Sequence, residues 1–322
     1  MPPGPWRACA VRSRCVDDSG VLGVSAERKP RLDVLAMGLL VLCCALWGVN
    51  QVVTKLTLVH IPPLAQAAAR SLGAAVLVAA WAIARGQRLS ARDGTLAGGL
   101  LAGILFALEF GCIFVGLQYT TASRMVVFIY LAPFVVALGM PLVTRSEHPD
   151  RWQLLGLLVA FAGVAWAFAE GWQAPSAGPR QWLGDALGVA GALLWGGTTL
   201  VIRGSRLSTA PAEVTLLYQL AISGVALAAA AVAAGEAWPA QIPIAGWAGL
   251  GFQTVIVCFA SYLLWFWLIR HYPATRLAAF TLLTPLLGLL AGVLLLDEPL
   301  TLRLMVAGAA VALGIALVNR PR

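Results

Sequence analysis

Ten hydrophobic runs, at 35–58, 62–84, 95–118, 122–143, 152–169, 183–203, 211–234, 245–269, 273–296 and 301–318, fill the chain almost from end to end. A bilayer-spanning helix needs about 20 mostly apolar residues, and each run meets or approaches that length. The connections are short and are punctuated by Pro or Gly, as at Pro62–Pro63, Gly86, Pro149, Gly204, Pro211, Pro273 and Pro299. One longer polar stretch, Gly171 to Arg180, separates the first five runs from the last five. The pattern predicts an all-α integral membrane protein of ten spans. A first half over 35–169 and a second over 183–319 are joined by a linker at 170–182. Residues 1–34 are polar and basic and have no signal-type apolar core. They are expected to be a disordered cytoplasmic tail or an over-long start.

The two halves repeat. Leu46-Trp47-Gly48 returns as Leu194-Trp195-Gly196, an offset of 148 that also pairs Lys55 with Arg203 and Pro63 with Pro211. Later the offset is 152, pairing Arg124 with Arg276, Pro133 with Pro285 and Gly156 with Gly308. Each half has five spans, an odd number, so the second must enter the membrane upside down. Inverted repeats of this kind are a recurring build of secondary transporters, whose substrate sits near the midplane between the repeats.

Positive charge orients the spans. With the N-terminus inside, the inner ends carry Arg28, Lys29, Arg31, Arg85, Arg88, Arg92, Arg145, Arg151, Arg203, Arg206, Arg270, Arg276, Arg320 and Arg322, and the outer side only Arg124, Arg180 and Arg303. A bias of 14 to 3 places both termini in the cytoplasm. The net charge of +8 is thus accounted for by orientation, and no nucleic-acid partner is expected. Composition agrees: 60% of residues are hydrophobic and 11% charged, against about 25% charged in soluble domains. No phosphate-binding G-x-x-x-x-G-K-[ST] loop, metalloprotease H-E-x-x-H or nucleophile-elbow G-x-S-x-G occurs. No cofactor, metal site or catalytic residue is expected. Cys43, Cys44, Cys112 and Cys258 read as small apolar filler, and the three histidines lie at span ends or in loops.

Ionisable residues within a bilayer are costly and mark function by default. Arg70 lies eight residues below Pro62, roughly 12 Å deep at 1.5 Å per residue, and Glu109 is roughly 14 Å from the outer end of its span. Asn50 shares their layer. Either Arg70 or Glu109 meets a charged group of the substrate, or they pair with each other or with backbone carbonyls and fix the packing. A dry site favours the neutral form of a carboxylic acid, so Glu109 is also the candidate for a coupling proton. Lys55, about three residues from its span end, can snorkel to the interface. Trp47 and Trp195 fall near the midplane, too deep for an interfacial belt, and could line a cavity or pack on Gly48 and Gly196. Trp265 and Trp267 read as belt or lipid-facing residues. Thr198, Tyr218 and Gln253 are candidates to complete the cavity, with Gln66, Gln219, Ser261 and Tyr262 as further neutral polar groups. Pro133 and Pro285 each free a carbonyl in mid-span and predict kinks. The spacings Gly99-xxx-Gly103, Gly184-xxx-Gly188 and Gly288-xxx-Gly292 predict close helix packing and require no dimer. A monomer and a homodimer both fit.

The order of these residues resembles the EamA-type branch of the drug/metabolite transporter superfamily. The stretch LWGVNQVVTKLTLVHIPPLAQAAARSLGAA, Leu46 to Ala75, is similar to that family's W-G-x-N…K…P…R pattern. Leu117 to Trp166 is similar to its third-to-fifth helix pattern, and Trp195-Gly196, Pro211, Pro285, Glu298, Gly308 and Gly314 repeat the theme in the second half. The second half departs by Thr198 in place of Asn50 and Tyr218 in place of Arg70. The resemblance covers about residues 35–318. It implies a bacterial inner-membrane permease for a small-molecule substrate, many relatives of which export amino acids or related compounds. A lipid-linked carrier flippase of the same fold is one alternative. A membrane-embedded enzyme is another, but it would need convergent acids or histidines that the sequence lacks.

Overall fold

The structure, a computed structural model, describes residues 33–87, 94–143, 151–173, 176–272, 281 and 283–318. The predicted N-terminal tail up to residue 32, and the inner-end arginines Arg88, Arg92, Arg145, Arg276, Arg320 and Arg322, lie outside them. The described residues form helices and connecting turns, with no strand among them. The helices are α1 (Val34–Thr57), α2 (Pro63–Ala84), α3 (Leu96–Gly116), α4 (Ala122–Ile129), α5 (Ala132–Val143), α6 (Arg151–Gln173), α7 (Gln181–Gly204) and α8 (Ala212–Ala233). They continue with α9 (Ile244–Gly251), a π-helical stretch (Phe252–Ser261), α10 (Tyr262–His271), α11 (Leu283–Leu296) and α12 (Leu302–Val318).

Among the described residues, seven helical stretches are long and apolar enough to cross a bilayer: Val34–Leu58, Pro63–Ala84, Leu96–Gly116, Ala122–Val143, Gln181–Gly204, Ala212–Ala233 and Ile244–Trp265. Leu154–Ala167, Leu283–Leu296 and Leu302–Leu317 are apolar but shorter. Large apolar side chains such as Val76, Ile83, Leu142, Leu158, Phe161, Val225 and Val232 point outward and are exposed. In water such a surface would be a liability; in lipid it is the required one, since every helix satisfies its backbone internally.

Local sequence sets the helix ends. Asp33 caps α1, its Oδ1 accepting from the Ala36 N–H at 2.8 Å, and Thr121 caps α4 by accepting from the Arg124 N–H at 3.1 Å. Pro63 opens α2 at the first helical position, where a missing N–H costs nothing. Helices α2 and α8 both end on a left-handed glycine, Gly86 at φ 69° and Gly235 at φ 72°. In each case the next N–H returns to a carbonyl five residues back, Gln87 to Ala82 and Glu236 to Ala231. The span over 122–143 is broken at Tyr130–Leu131, and α5 restarts with Pro133 at its second residue, where proline is tolerated. Pro285 is the third residue of α11. The residues at 273–280 that precede it in its predicted span lie outside the described set.

Helices meet at glycines, as the small-residue spacings predict. A methyl added at Gly48 would stand 2.6 Å from the Gly288 nitrogen, so α1 and α11 touch backbone to backbone. The same holds for α3 and α7 at Gly116 and Gly184, and for α6 and α12 at Gly156 and Gly314. Helix α8 packs on α2 through Gly224 against Leu72, and on α3 through Tyr218 against Gly99. The largest buried apolar cluster joins Phe106, Phe110 and Phe114 of α3 to Met125 and Phe128 of α4 and Leu216 and Leu220 of α8.

Candidate functional site

A cavity of about 210 Å³ lies inside the bundle. Its walls come from nearly every helix around it: Trp47, Asn50 and Gln51 of α1, Phe106, Glu109, Phe110 and Ile113 of α3, and Val126, Ile129 and Tyr130 at the α4 break. The other half supplies Trp195 of α7, Leu216 and Gln219 of α8, Val257, Tyr262 and Trp265 of the π-helical stretch and α10, and Thr284 of α11. Neither α6 nor α12 contributes.

Aromatic rings dominate the walls. Trp47 meets Trp265 edge-on at 5.3 Å and Tyr262 at 6.4 Å, and its indole N–H donates to Ser261 Oγ at 2.9 Å. Ser261 in turn donates to the Val257 carbonyl at 2.6 Å. Its fixed place at the end of the π-helical stretch follows from that irregular turn, a feature that often marks functional sites. Across the cavity Tyr130 packs on Trp195 at 5.6 Å, and Phe106 on Phe110 at 4.6 Å. Among the described residues of this wall, Glu109 carries the one carboxylate. It is 4% exposed, and its Oε2 has no hydrogen-bond partner.

Arg70 is fully buried but is not part of the lining. Its guanidinium lies over the Phe110 ring, 3.8 Å from the centroid, and 4.9 Å from that of Phe114. None of its three nitrogens makes a hydrogen bond among the described residues, so neither of the pairings that the sequence leaves open to it, with Glu109 or with backbone carbonyls, is made as a hydrogen bond.

Of the residues singled out in the sequence, Trp47, Asn50, Glu109 and Trp195 come together at the cavity. Thr198 is buried and donates to the Leu194 carbonyl at 2.9 Å, while Tyr218 presses on Gly99 with its hydroxyl 3.3 Å from Thr95 Oγ1. Gln253 belongs to a buried polar layer beside the cavity. It accepts from Gln66 Nε2 at 3.2 Å and donates to Thr57 Oγ1 at 3.4 Å. Sequence reasoning missed Gln51, Tyr130 and Thr284. It also read Trp265 as a belt residue, whereas that ring is half-buried against Trp47. The inward turn at Tyr130 follows from the helix break, which Pro133 signalled.

A second polar cluster closes the end of the bundle where α1 finishes. Arg124 Nε lies 3.1 and 3.2 Å from the two Asp185 oxygens, its Nη2 2.6 Å from Oδ2, and its Nη1 2.9 Å from Glu170 Oε2. Thr120 donates to Asp185 at 2.6 Å, and Thr301 to Glu170 at 2.9 Å. Glu298 receives the first N–H groups of α4, from Ala122 at 2.7 Å and Ser123 at 2.9 Å, where the helix dipole favours an anion. Lys55 Nζ is 3.7 Å from Glu298 and donates to the Thr120 carbonyl at 2.5 Å, so its ammonium is held in this cluster. Glu236 receives the Leu64 and Ala65 N–H groups at the start of α2 in the same manner.

A buried cavity lined from many apolar helices is consistent with a membrane permease. The EamA-like transporter family model matches residues 34–169 and again 182–320, and the chain belongs to that family. It is a multi-pass membrane protein and a membrane transporter. Relatives include YvbV of Bacillus subtilis, named an uncharacterized transporter, which is 27% identical over 87% of this chain and 90% of its own. The uncharacterized transporter sll0355 of Synechocystis is 30% identical over 85% of this chain and 87% of its own. The uncharacterized inner membrane transporter YedA of Escherichia coli is 22% identical over 85% and 87%. A solved crystal structure superposes with a TM-score of 0.61 over 88% of this chain and 94% of its own, at 19% identity, which bears on the fold alone.

Proposed function

We propose that this chain is a secondary active permease of the bacterial inner membrane that exports small metabolites, amino acids or related compounds, by alternating access. The observation that carries the proposal is the central cavity, to which both halves of the chain contribute walls. An inner-membrane location is supported by the name of the relative YedA.

Ten spans in two inverted halves give the frame for this cycle. Seven long apolar stretches and three shorter ones support the count. The helix pairing supports the inversion. Contact of α1 with α11 is mirrored by that of α7 with α4 and α5, while α2 with α8 and α6 with α12 pair across the axis that would exchange the halves. The matching glycine ends of α2 and α8 and the twofold family match point the same way. With both termini inside, the acids Glu170, Asp185, Glu236 and Glu298 fall at the outer end, neutralised by Arg124, Lys55 and two helix N-termini. This state is then sealed outside by that cluster and by the Gln66–Gln253–Thr57 layer. Rocking the halves would break the outer seal and expose the cavity to the other face, with the α6–α12 pair as a peripheral buttress.

Glu109 is the proposed site of proton coupling, because it is the only carboxylate in the cavity lining among the described residues. Efflux of labelled amino acids and related compounds from cells, compared between wild type and Arg70→Ala, tests the proposal. Substrate efflux that depends on the protein and falls in the variant is the expected result. Unchanged efflux and tolerance across a broad panel would sink the export reading.

A further inference from the structure

Among the described residues, the cavity's lining holds one acid, Glu109, and no Lys or Arg. Arg70 is packed on the face of Phe110, outside the lining, and its charge acts on Glu109 from behind that ring without a hydrogen bond to it. Around the acid stand rings whose faces attract positive charge: Trp47, Trp265 and Tyr262 on one side, Tyr130 and Trp195 on the other. A zwitterion brought into this space would find only neutral hydrogen-bond donors for its carboxylate among the described lining residues, and burial of a charge without an opposite charge is strongly disfavoured. A monocation would meet a carboxylate whose Oε2 is 96% buried with its residue and unpartnered.

We infer that the cavity takes small organic cations, amines that lack a free carboxylate, with the ammonium on Glu109 and the apolar body between the Trp47 and Trp195 walls. The inference rests on the permease reading and narrows it, since amines are among the compounds related to amino acids. Asn50, Gln51, Gln219 and Thr284 would supply neutral hydrogen bonds around the ligand. A space of about 210 Å³ suits a ligand below drug size, since drug-sized sites run to about 300–1,000 Å³.

Three compounds with one ring and different charge test this: phenethylamine, a cation; phenylalanine, a zwitterion; and phenylpropionate, an anion. Binding to the purified full chain is read by quenching of tryptophan fluorescence, and flux in proteoliposomes. Phenethylamine should bind at least about tenfold more tightly than the other two, the worth of one charge-assisted hydrogen bond. Glu109→Gln should remove that preference, and Glu109→Asp should restore part of it. If phenylalanine or phenylpropionate binds as well as the amine, or if none binds, the cation inference is overturned. Movement of either carboxylate compound would leave the permease reading standing. Binding of the amine without flux would leave the inference standing and count against the permease reading.

Discussion

Arg124 and Asp185 face each other at the junction of α4 and α7 with the guanidinium fork closed on both carboxylate oxygens, and both residues are buried. Arg124 also holds Glu170, so one cation neutralises two acids from two further helices. Removing the shared partner of a buried charge cluster costs about 3–5 kcal/mol, because it strands the remaining charges. Arg124→Ala should therefore lower the unfolding midpoint in detergent more than Asp185→Ala does. After the second change Arg124 keeps Glu170; after the first, Asp185 keeps only Thr120. Equal losses in the two variants would contradict this hierarchy.

Backbone contact between Gly48 and Gly288 leaves no room for a side chain. Gly48→Ala should force α1 away from α11 and destabilise by about 1–3 kcal/mol, the usual cost of overpacking. Gly251 offers the control, for a methyl there meets nothing within 4 Å. Gly251→Ala should be neutral, or stabilising by up to about 1 kcal/mol from helix propensity. Thermal unfolding of the two variants side by side measures the contrast.

The glycine contacts were legible because a glycine repeated at four-residue spacing in an apolar run has few other uses. The broken span was legible from Pro133. Trp47, Asn50, Glu109 and Trp195 were legible as cavity residues from depth alone, since each is polar or bulky where lipid-facing positions are plain. Depth could not say which way a side chain points. Arg70 sits in the same layer as Glu109 but turns behind Phe110, and Trp265 turns inward where its distance from the span end suggested lipid. The outer cluster was hidden for another reason. Arg124, Asp185, Glu170 and Glu298 lie 15 to 174 residues apart in the numbering, and only the packing of α4, α6, α7 and the turn between α11 and α12 brings them together. Near a span end each alone reads as a solvated charge.

Glu298 accepts the first two N–H groups of α4, beside the Thr121 cap, and carries the Lys55 contact besides. Glu298→Gln keeps one acceptor but removes the charge, and it should cost about 1–2 kcal/mol, the range for charge at a partly buried helix end. Glu298→Ala should cost more, since both N–H groups then lose their acceptor. A Lys55→Met, Glu298→Gln double variant should be less than additive if the two charges interact, which a double-mutant cycle on the unfolding midpoint reads directly.

Glu109 should give transport its pH dependence. The groups around it are Arg70 from α2, Tyr262 from α10, Tyr130 at the α4 break and Cys112 on its own helix. The neighbouring α1, α7 and α8 present the neutral Asn50, Gln51, Trp195 and Gln219. On the proposal above, a cation binds the carboxylate and is released when that carboxylate takes a proton, which exchanges one proton for one substrate. Substrate affinity should then fall as pH falls, with the loss tracking protonation of Glu109. In proteoliposomes an imposed proton gradient, acid on the side opposite the substrate, should drive uptake in wild type. Glu109→Gln cannot change charge, so its residual flux, reduced by at least about tenfold, should be the same at every pH and indifferent to the gradient. A variant that keeps the wild-type pH profile would remove Glu109 from the coupling step. Arg70→Met gives the complementary reading: the guanidinium makes no hydrogen bond, so the fold should tolerate the loss. Any shift in the pH profile would then report its electrostatic influence on Glu109.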